Sequence, residues 1–164
     1  MISPVKSTFA KIICFKISIL LLIFALPHLS FSQSATNANQ PVFNHAALCA
    51  QNLKKTAGFY STVLQLQTIH NPFNDTLHVW FKIGDGLALH VIQGSCPETV
   101  HNIGIHLCFS VPSLETFIKH LEDLNIKYGN WTGEPKKVTL RADGVKQIYF
   151  QDPDGFWIEV NDAK

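Results

Sequence analysis

Apolar and polar positions repeat in the same order in two halves of the chain. The first half predicts a strand, a helix and three short strands, near 42–50, 53–64, 66–70, 76–83 and 86–93. The second half predicts the same series near 103–111, 114–125, 126–131, 145–151 and 156–161. Asn52 and Ser113 stand directly before the two helices and are suitable N-caps. Each half therefore predicts one β-α-β-β-β unit.

The two halves also match residue by residue, as an internal duplication does. The segment NHAALCAQNLKKTAGFYSTVLQL aligns with IHLCFSVPSLETFIKHLEDLNI, which places His45 on His106. The segment WFKIGDGLALHVI aligns with YFQDPDGFWIEVN, which places His90 on Glu159. The duplication predicts an α+β fold in which two tandem β-α-β-β-β modules form a curved, cleft-enclosing mixed sheet with the helices outside.

Strand alternation places these four ionisable side chains on faces that turn away from the helices. His45, His90, His106 and Glu159 each lie in mid-strand, opposite an apolar face. Taken singly, each histidine fits a core residue hydrogen-bonded to the backbone, and Glu159 fits a glutamate at a solvated strand end. Burying a polar group without a partner costs roughly 2–7 kcal/mol, and one shared cation satisfies all four groups. Their equivalent places in the duplication favour that metal site.

The same segments resemble the vicinal oxygen chelate superfamily, which includes glyoxalases, bleomycin resistance proteins and extradiol dioxygenases. Residues 44–66 are similar to its opening strand and helix, and QIYFQDPDGFWIEVND is similar to its closing hairpin. The resemblance implies one divalent ion, zinc, nickel, cobalt, manganese or iron, held by His45, His90, His106 and Glu159. Classical glyoxalase I has a glutamate on the fourth strand, where this chain has His90.

The resemblance implies a glyoxalase-like lyase or isomerase acting on a small substrate that chelates through vicinal oxygens. Glu159 is the expected catalytic base in metal-assisted proton transfer. The family's glutathione-binding arginine falls at Cys49, so strict lactoylglutathione lyase activity is not expected. One alternative is an extradiol-type dioxygenase, with iron held by two histidines and Glu159 while His90 acts as an unligated acid or base. The other alternative is a non-catalytic small-molecule binding or resistance protein.

Three further residues are candidates for contact with the substrate. Arg141, beside an Asp-Gly turn, is able to hold an anionic group, although a solvated surface arginine is the favoured interpretation. Cys49 and Cys108 share the inferred cleft faces, where they offer thiol contacts or, alternatively, small apolar filling. Four further histidines are interpreted as structural or exposed: His70, His78, His101 and His120. Four strand aromatics are able to wall the cavity, although strand aromatics ordinarily belong to the core: Trp80, Phe81, Tyr149 and Trp157.

The first 32 residues are typical of a secretory signal peptide, with lysines, an apolar run at 17–26 and small residues before the cut. Residues 33–41 then predict a flexible leader, and 42–162 the glyoxalase-like domain. We therefore expect an exported protein, periplasmic or secreted, with no membrane association after signal removal. The apolar run is shorter than the roughly 20 residues that a membrane-spanning helix needs.

The formal net charge of +1 gives no basis for nucleic-acid binding, so a small molecule is the expected partner. Three of the four cysteines follow the signal segment, too few for a disulfide scaffold. Relatives of the implied family assemble as pairs, and a homodimer is compatible with the sequence, which does not decide it.

Overall fold

The computed structural model describes residues 39–97 and 100–164. The predicted signal segment and residues 33–38 of the predicted leader lie outside the described residues. The unit Val42–Lys164 contains ten elements. They are β1 His45–Ala50, α1 Leu53–Thr62, β2 Thr68–Ile69, β3 His78–Gly84, β4 Leu87–Gln93, β5 His106–Ser110, α2 Leu114–Asp123, β6 Thr139–Leu140, β7 Lys146–Gln151 and β8 Trp157–Asn161.

The strands form two four-stranded mixed sheets, in the orders β1-β4-β3-β2 and β5-β8-β7-β6. In each sheet the first strand pairs in parallel with the last, and the other pairs are antiparallel. The predicted α+β class and the two β-α-β-β-β modules are therefore confirmed. β1 and β5 each stand at an edge of their sheet.

Both helices begin where the sequence predicts. The Asn52 side chain accepts a hydrogen bond from the backbone N of Lys55 at 3.0 Å, and Ser113 accepts one from Thr116 at 3.2 Å. Each cap satisfies one backbone N–H that the first helical turn leaves unpaired. The two N-cap predictions are confirmed.

The strand predicted near 126–131 is wrong. In its place Gly129 forms isolated bridges with Pro135 and Tyr149, and the outer strand of the second sheet is β6. The chain doubles back so tightly that a Cβ on Gly129 would lie 2.7 Å from the carbonyl oxygen of Glu134. Gly133, with φ of 83°, makes the turn between them. A loop closed on itself leaves no extended segment for a longer strand.

The apolar backs of both sheets and the two helices share one core. Its fully buried members come from both modules: Ala50, Tyr60, Phe81, Leu89, Val91, Leu121, Ile148, Ile158 and Val160. Helix α1 joins the modules, because Phe59 lies 6.2 Å from Phe150 between ring centroids and the Tyr60 hydroxyl donates to Asp152 at 3.0 Å. The opposite sheet faces therefore turn away from this core. No helix in the described part of the chain is long and apolar enough to span a membrane.

Candidate metal centre

The four predicted ligands fall into two pairs, one on each sheet. The rings of His45 on β1 and His90 on β4 have centroids 6.3 Å apart, and we call this pair the first half-site. His106 Nε2 on β5 lies 3.2 Å from Glu159 Oε2 on β8, and we call this pair the second half-site. Among residues 39–97 and 100–164 no group of three His, Cys, Asp or Glu side chains is close enough to hold a metal. One chain thus presents two half-sites.

The first half-site offers two imidazole nitrogens. His90 is only 5% exposed, and its Nε2 is buried without a hydrogen-bond partner. Burial foremost, and then the nearby His78 and His45, lower the pKa of His90, which favours the neutral ring. His45 is exposed and its Nδ1 donates to Asn44 Oδ1 at 2.8 Å, so in the neutral ring Nε2 keeps its lone pair.

Aromatic rings surround His90. Trp80, its cross-strand partner on β3, stacks on it with centroids 3.9 Å apart and planes at 15°. Phe73 lies 5.7 Å from His90 and stacks on His78 at 4.5 Å. His78 Nδ1 donates to the carboxylate of Asp75 at 2.7 Å. Neither Trp80 nor His78 was predicted as a site residue, although the register of the β3–β4 hairpin indicates that Trp80 faces His90.

The second half-site is built around a fixed carboxylate. Glu159 is 6% exposed, and its Oε2 accepts a hydrogen bond from the Tyr149 hydroxyl at 2.7 Å. Its Oε1 accepts from Asn161 Nδ2 at 2.9 Å and from Cys108 Sγ at 3.2 Å. Burial alone would raise the pKa of Glu159, but these three hydrogen bonds and the charge of His106 outweigh it and hold the pKa below its ordinary value. The carboxylate is therefore ionised at neutral pH.

His106 is oriented by the backbone before β5. Its Nδ1 donates to the carbonyl oxygen of Ile103 at 2.7 Å, because that oxygen can only accept. Nε2 consequently faces the carboxylate of Glu159. In the neutral ring this sets a lone pair against an anion, and a cation between them, either a proton or a metal, relieves the repulsion. Metal-ligating histidines commonly donate their other N–H to a carbonyl in this way.

The two half-sites together fit a divalent first-row ion. Three imidazole nitrogens and one carboxylate are donors that such ions accept. The unpartnered Nε2 of His90 and the facing lone pairs of His106 and Glu159 are the features that a bound cation would satisfy.

The two candidate cysteines have different states. Cys49 forms a disulfide with Cys96, with Cα atoms 5.9 Å apart, so in this form it has no thiol to offer a substrate. Cys108 is free and exposed overall, but its thiol points to Glu159. Partial burial of the thiol and its hydrogen bond to Glu159 raise the pKa of Cys108 to about 12. Cys108 therefore acts as a hydrogen-bond donor at neutral pH.

Arg141 lies near the second half-site. It holds Asp143 with two hydrogen bonds, from Nε at 2.9 Å and from a terminal nitrogen at 2.7 Å. The guanidinium lowers the pKa of Asp143 to about 2. Its positive charge also reaches Glu159 and Cys108. Arg141 is thus a cation, partly neutralised by Asp143, whose charge interacts with the carboxylate of Glu159.

A polar network surrounds Glu159 that the sequence did not predict. Gln147 donates through Nε2 to the Tyr149 hydroxyl, while its buried Oε1 has no partner. Ser110 donates to Asn161 Oδ1 at 3.0 Å, and so orients the amide that holds Glu159. Residues two apart on one strand share a face, as Asn161 and Glu159 do on β8, and so do residues paired in register, as Tyr149 and Glu159 are.

Comparison with known proteins agrees with this architecture. The sequence model of the Glyoxalase/Bleomycin resistance protein/Dioxygenase superfamily matches residues 42–160. The protein "Glyoxylase I 4" of Arabidopsis thaliana is 26% identical over 125 residues, which cover 71% of this chain and 68% of that protein. A lactoylglutathione lyase of Pseudomonas putida is 24% identical over 155 residues, covering 74% and 84% of the two chains.

The solved structures share the fold. The fosfomycin resistance protein FosX of Listeria monocytogenes superposes with a TM-score of 0.57 at 21% identity, covering 76% of this chain and 95% of its own. At that identity the likeness concerns the fold alone. The family match extends from before β1 to β8 and includes both half-sites. The chain therefore belongs to the Glyoxalase/Bleomycin resistance protein/Dioxygenase superfamily.

Proposed function

We propose that this protein is a metal-dependent lyase or isomerase of the glyoxalase type, acting on a small substrate that chelates through vicinal oxygens. The observation that carries the proposal is the donor chemistry of the half-sites. His90 Nε2 is buried without a partner, and His106 Nε2 faces the ionised carboxylate of Glu159. Relatives named as lactoylglutathione lyases support proton-transfer chemistry in this family.

The complete site belongs to a homodimer in this proposal, with the first half-site of one copy meeting the second half-site of the other. The site-bearing faces turn away from the shared core, and β1 and β5 stand at sheet edges. Two large apolar side chains close in sequence to His45 and His106 are also exposed, Phe43 at 66% and Ile105 at 79%. A second copy would cover them and bring four donors together.

Glu159 is the proposed base. When bound, a divalent ion acts as a Lewis acid toward the substrate oxygens. Glu159 takes a proton from a substrate carbon at Oε1, where the weak thiol donor Cys108 gives way while Asn161 keeps its hydrogen bond. Tyr149 meanwhile holds Oε2 in place. The carboxyl group then returns the proton to the neighbouring carbon.

Arg141 is the proposed contact for an anionic group of the substrate. Arg141 lies two residues after Thr139, which pairs with Gln147 on the Tyr149 face of the second sheet, and its charge interacts with Glu159 and Cys108. Asp143 fixes the guanidinium plane with two hydrogen bonds, which reduces the freedom that the side chain loses when an anion binds.

We also propose that the protein is exported after removal of residues 1–32. The Cys49–Cys96 disulfide supports this location, because cytosolic thiols are kept reduced. Mass spectrometry of protein recovered from the medium or periplasm should find an N-terminus near Gln33. Recovery of the uncleaved chain in the cytoplasm alone would contradict the proposal.

Metal content and turnover test the function together. Untagged protein should carry, or take up from added zinc, nickel, cobalt, manganese or iron, about one ion per chain and should isomerise hemithioacetals. His90→Ala should lose both the ion and the turnover. His70→Ala is the matched control, because His70 is an exposed histidine after β2, and this variant should keep both.

Two results would exclude the proposal. A protein that binds none of the added metals would be a non-catalytic binding protein. A protein that cleaves catechol rings with iron, and whose His90→Ala variant keeps its iron while losing turnover, would be an extradiol-type dioxygenase.

A further inference from the structure

Each hairpin sets an aromatic ring directly across from a candidate ligand. Trp80 pairs in register with His90, and Tyr149 pairs in register with Glu159. These two aromatic residues are aligned in the duplicated sequence. In both modules, therefore, a flat ring, which we call the inner ring, lies beside the candidate ligand, His90 or Glu159.

A second, outer ring accompanies each inner ring. Phe73, in the loop between β2 and β3, lies 6.4 Å from Trp80 between centroids and is 57% exposed. Trp131, in the loop before β6, lies 5.5 Å from Tyr149 and is 45% exposed. Exposing two large rings forgoes hydrophobic stabilisation of roughly 25 cal/mol per Å².

Hydrogen bonds hold the two loops that carry the outer rings, so the exposure of these rings does not come from unconstrained loops. The backbone N of Phe73 donates to Asn71 Oδ1 at 3.0 Å, and the same asparagine donates to the carbonyl oxygen of Asp75 at 3.1 Å. The backbone N of Trp131 donates to Thr139 Oγ1 at 2.8 Å. Hydrogen bonds with Asn71 inside the first loop and with Thr139 on β6 thus hold both loops, with one outer ring presented beside each half-site.

We infer that Phe73 and Trp131 determine specificity by contacting an aryl group of the substrate. This inference rests on the proposed function, and it narrows the substrate class to aryl-substituted compounds with vicinal oxygens. Flat rings favour offset or edge contacts with another ring. A cationic group is a poorer occupant, because the metal and Arg141 would repel it.

Lactate and mandelate are matched probes for the aryl group. Both carry a hydroxyl and a carboxylate on adjacent carbons, and they differ only in a methyl or a phenyl substituent. Calorimetric titration of metal-loaded protein with each enantiomer should show mandelate binding about tenfold more tightly than lactate. Phe73→Ala and Trp131→Ala should each reduce that ratio to about threefold or less.

Leu140→Ala is the control variant. Leu140 is also exposed, at 70%, but lies on β6 paired with Lys146, on the sheet face opposite Tyr149. It should leave the ratio unchanged. All variants alter exposed side chains, and circular dichroism confirms that each is folded before it is titrated.

Each contrary result has a distinct meaning. Equal affinity of the wild type for the two acids, with lactate binding only when metal is present, overturns this inference and leaves the proposed function standing. Lactate that binds equally with and without metal defeats the proposed function. Variants that keep the ratio but weaken dimerisation in sedimentation also overturn the inference, because the rings would then belong to the subunit interface.

Discussion

The two half-sites occupy equivalent positions of a duplicated fold, yet their surroundings have little in common. In the first, His90 lies against Trp80 and its Nε2 has no partner. In the second, Glu159 is held by three hydrogen bonds and faces His106. The two modules place their candidate ligands at equivalent positions, while the neighbouring side chains differ.

The two half-sites keep their proposed metal-binding groups deprotonated by different physical causes. Desolvation lowers the pKa of His90 and so preserves a neutral donor down to lower pH. Hydrogen bonds lower the pKa of Glu159 and so preserve an anion. Two unlike causes thus keep both groups deprotonated, which is the form that binds a metal. The following changes separate these causes.

Removing the carboxylate charge should have the largest effect on activity. Glu159→Gln keeps the size of the side chain but removes the proposed base, and general base catalysis contributes about 10²–10⁴-fold. Because Glu159 is also a proposed metal ligand, we expect kcat/KM to fall by at least that factor, measured at metal concentrations that saturate the variant. Loss of less than tenfold would show that another group takes the proton.

Breaking the disulfide should have the largest effect on stability. Cys49 and Cys96 lie 47 residues apart, and the chain-entropy model assigns such a loop about 4 kcal/mol. Cys96→Ser should lower the free energy of unfolding in urea by about that amount under oxidising conditions. Cys108→Ser, which alters the free cysteine, should leave stability nearly unchanged. Equal midpoints for wild type and Cys96→Ser would contradict the prediction.

Removing one donor from Glu159 should weaken the second half-site alone. Tyr149→Phe deletes the hydrogen bond to Oε2, a contact with a charged group worth about 1.5–3 kcal/mol. Because that bond lowers the pKa of Glu159, its loss raises the pKa, and protons then compete with metal at higher pH. Metal affinity should fall by about 10–100-fold, and most steeply at acid pH.

Metal affinity of the Tyr149→Phe variant, measured across pH, distinguishes a structural from an electrostatic role for Tyr149. If affinity falls by an equal factor at every pH, the hydroxyl only supports packing. If the pH below which metal affinity is lost moves to a higher value, the result agrees with an electrostatic role.

Changing the stacked ring in the first half-site should have the smallest effect. Trp80→Leu removes an aromatic contact worth about 0.5–1.5 kcal/mol and admits water to His90. The pKa of His90 should rise, since burial is the main cause that lowers it. We expect metal affinity to fall by about two- to tenfold, measured by competition with a chelator. An unchanged affinity across pH would mean that desolvation of His90 has no role.

Local features of the fold could be predicted from the sequence. Asn52 and Ser113 cap helices because cap chemistry depends on a few neighbouring residues. Strand alternation placed His90 and Glu159 on the correct faces because the period of a strand is fixed. The loop around Gly129 was mispredicted, since its course depends on a close contact with the backbone of Glu134.

The arrangement of the site could not be predicted in the same way. The duplication matched His45 with His106, whereas within one chain His45 neighbours His90. How two modules dock depends on tertiary contacts such as Tyr60 with Asp152, which no local pattern encodes. The Cys49–Cys96 pairing likewise depends on where the segment after β4 lies.

Complementation between two inactive variants is the most direct test of a site shared by two copies. His90→Ala and Glu159→Ala homodimers should each fail to bind metal, because every site lacks one ligand. Co-refolded as a mixture, they form heterodimers in which one site has all four ligands and the other lacks two. The account predicts that mass spectrometry finds one metal ion per heterodimer, with turnover restored. Heterodimers without metal, or a wild-type monomer that binds metal alone, would contradict it.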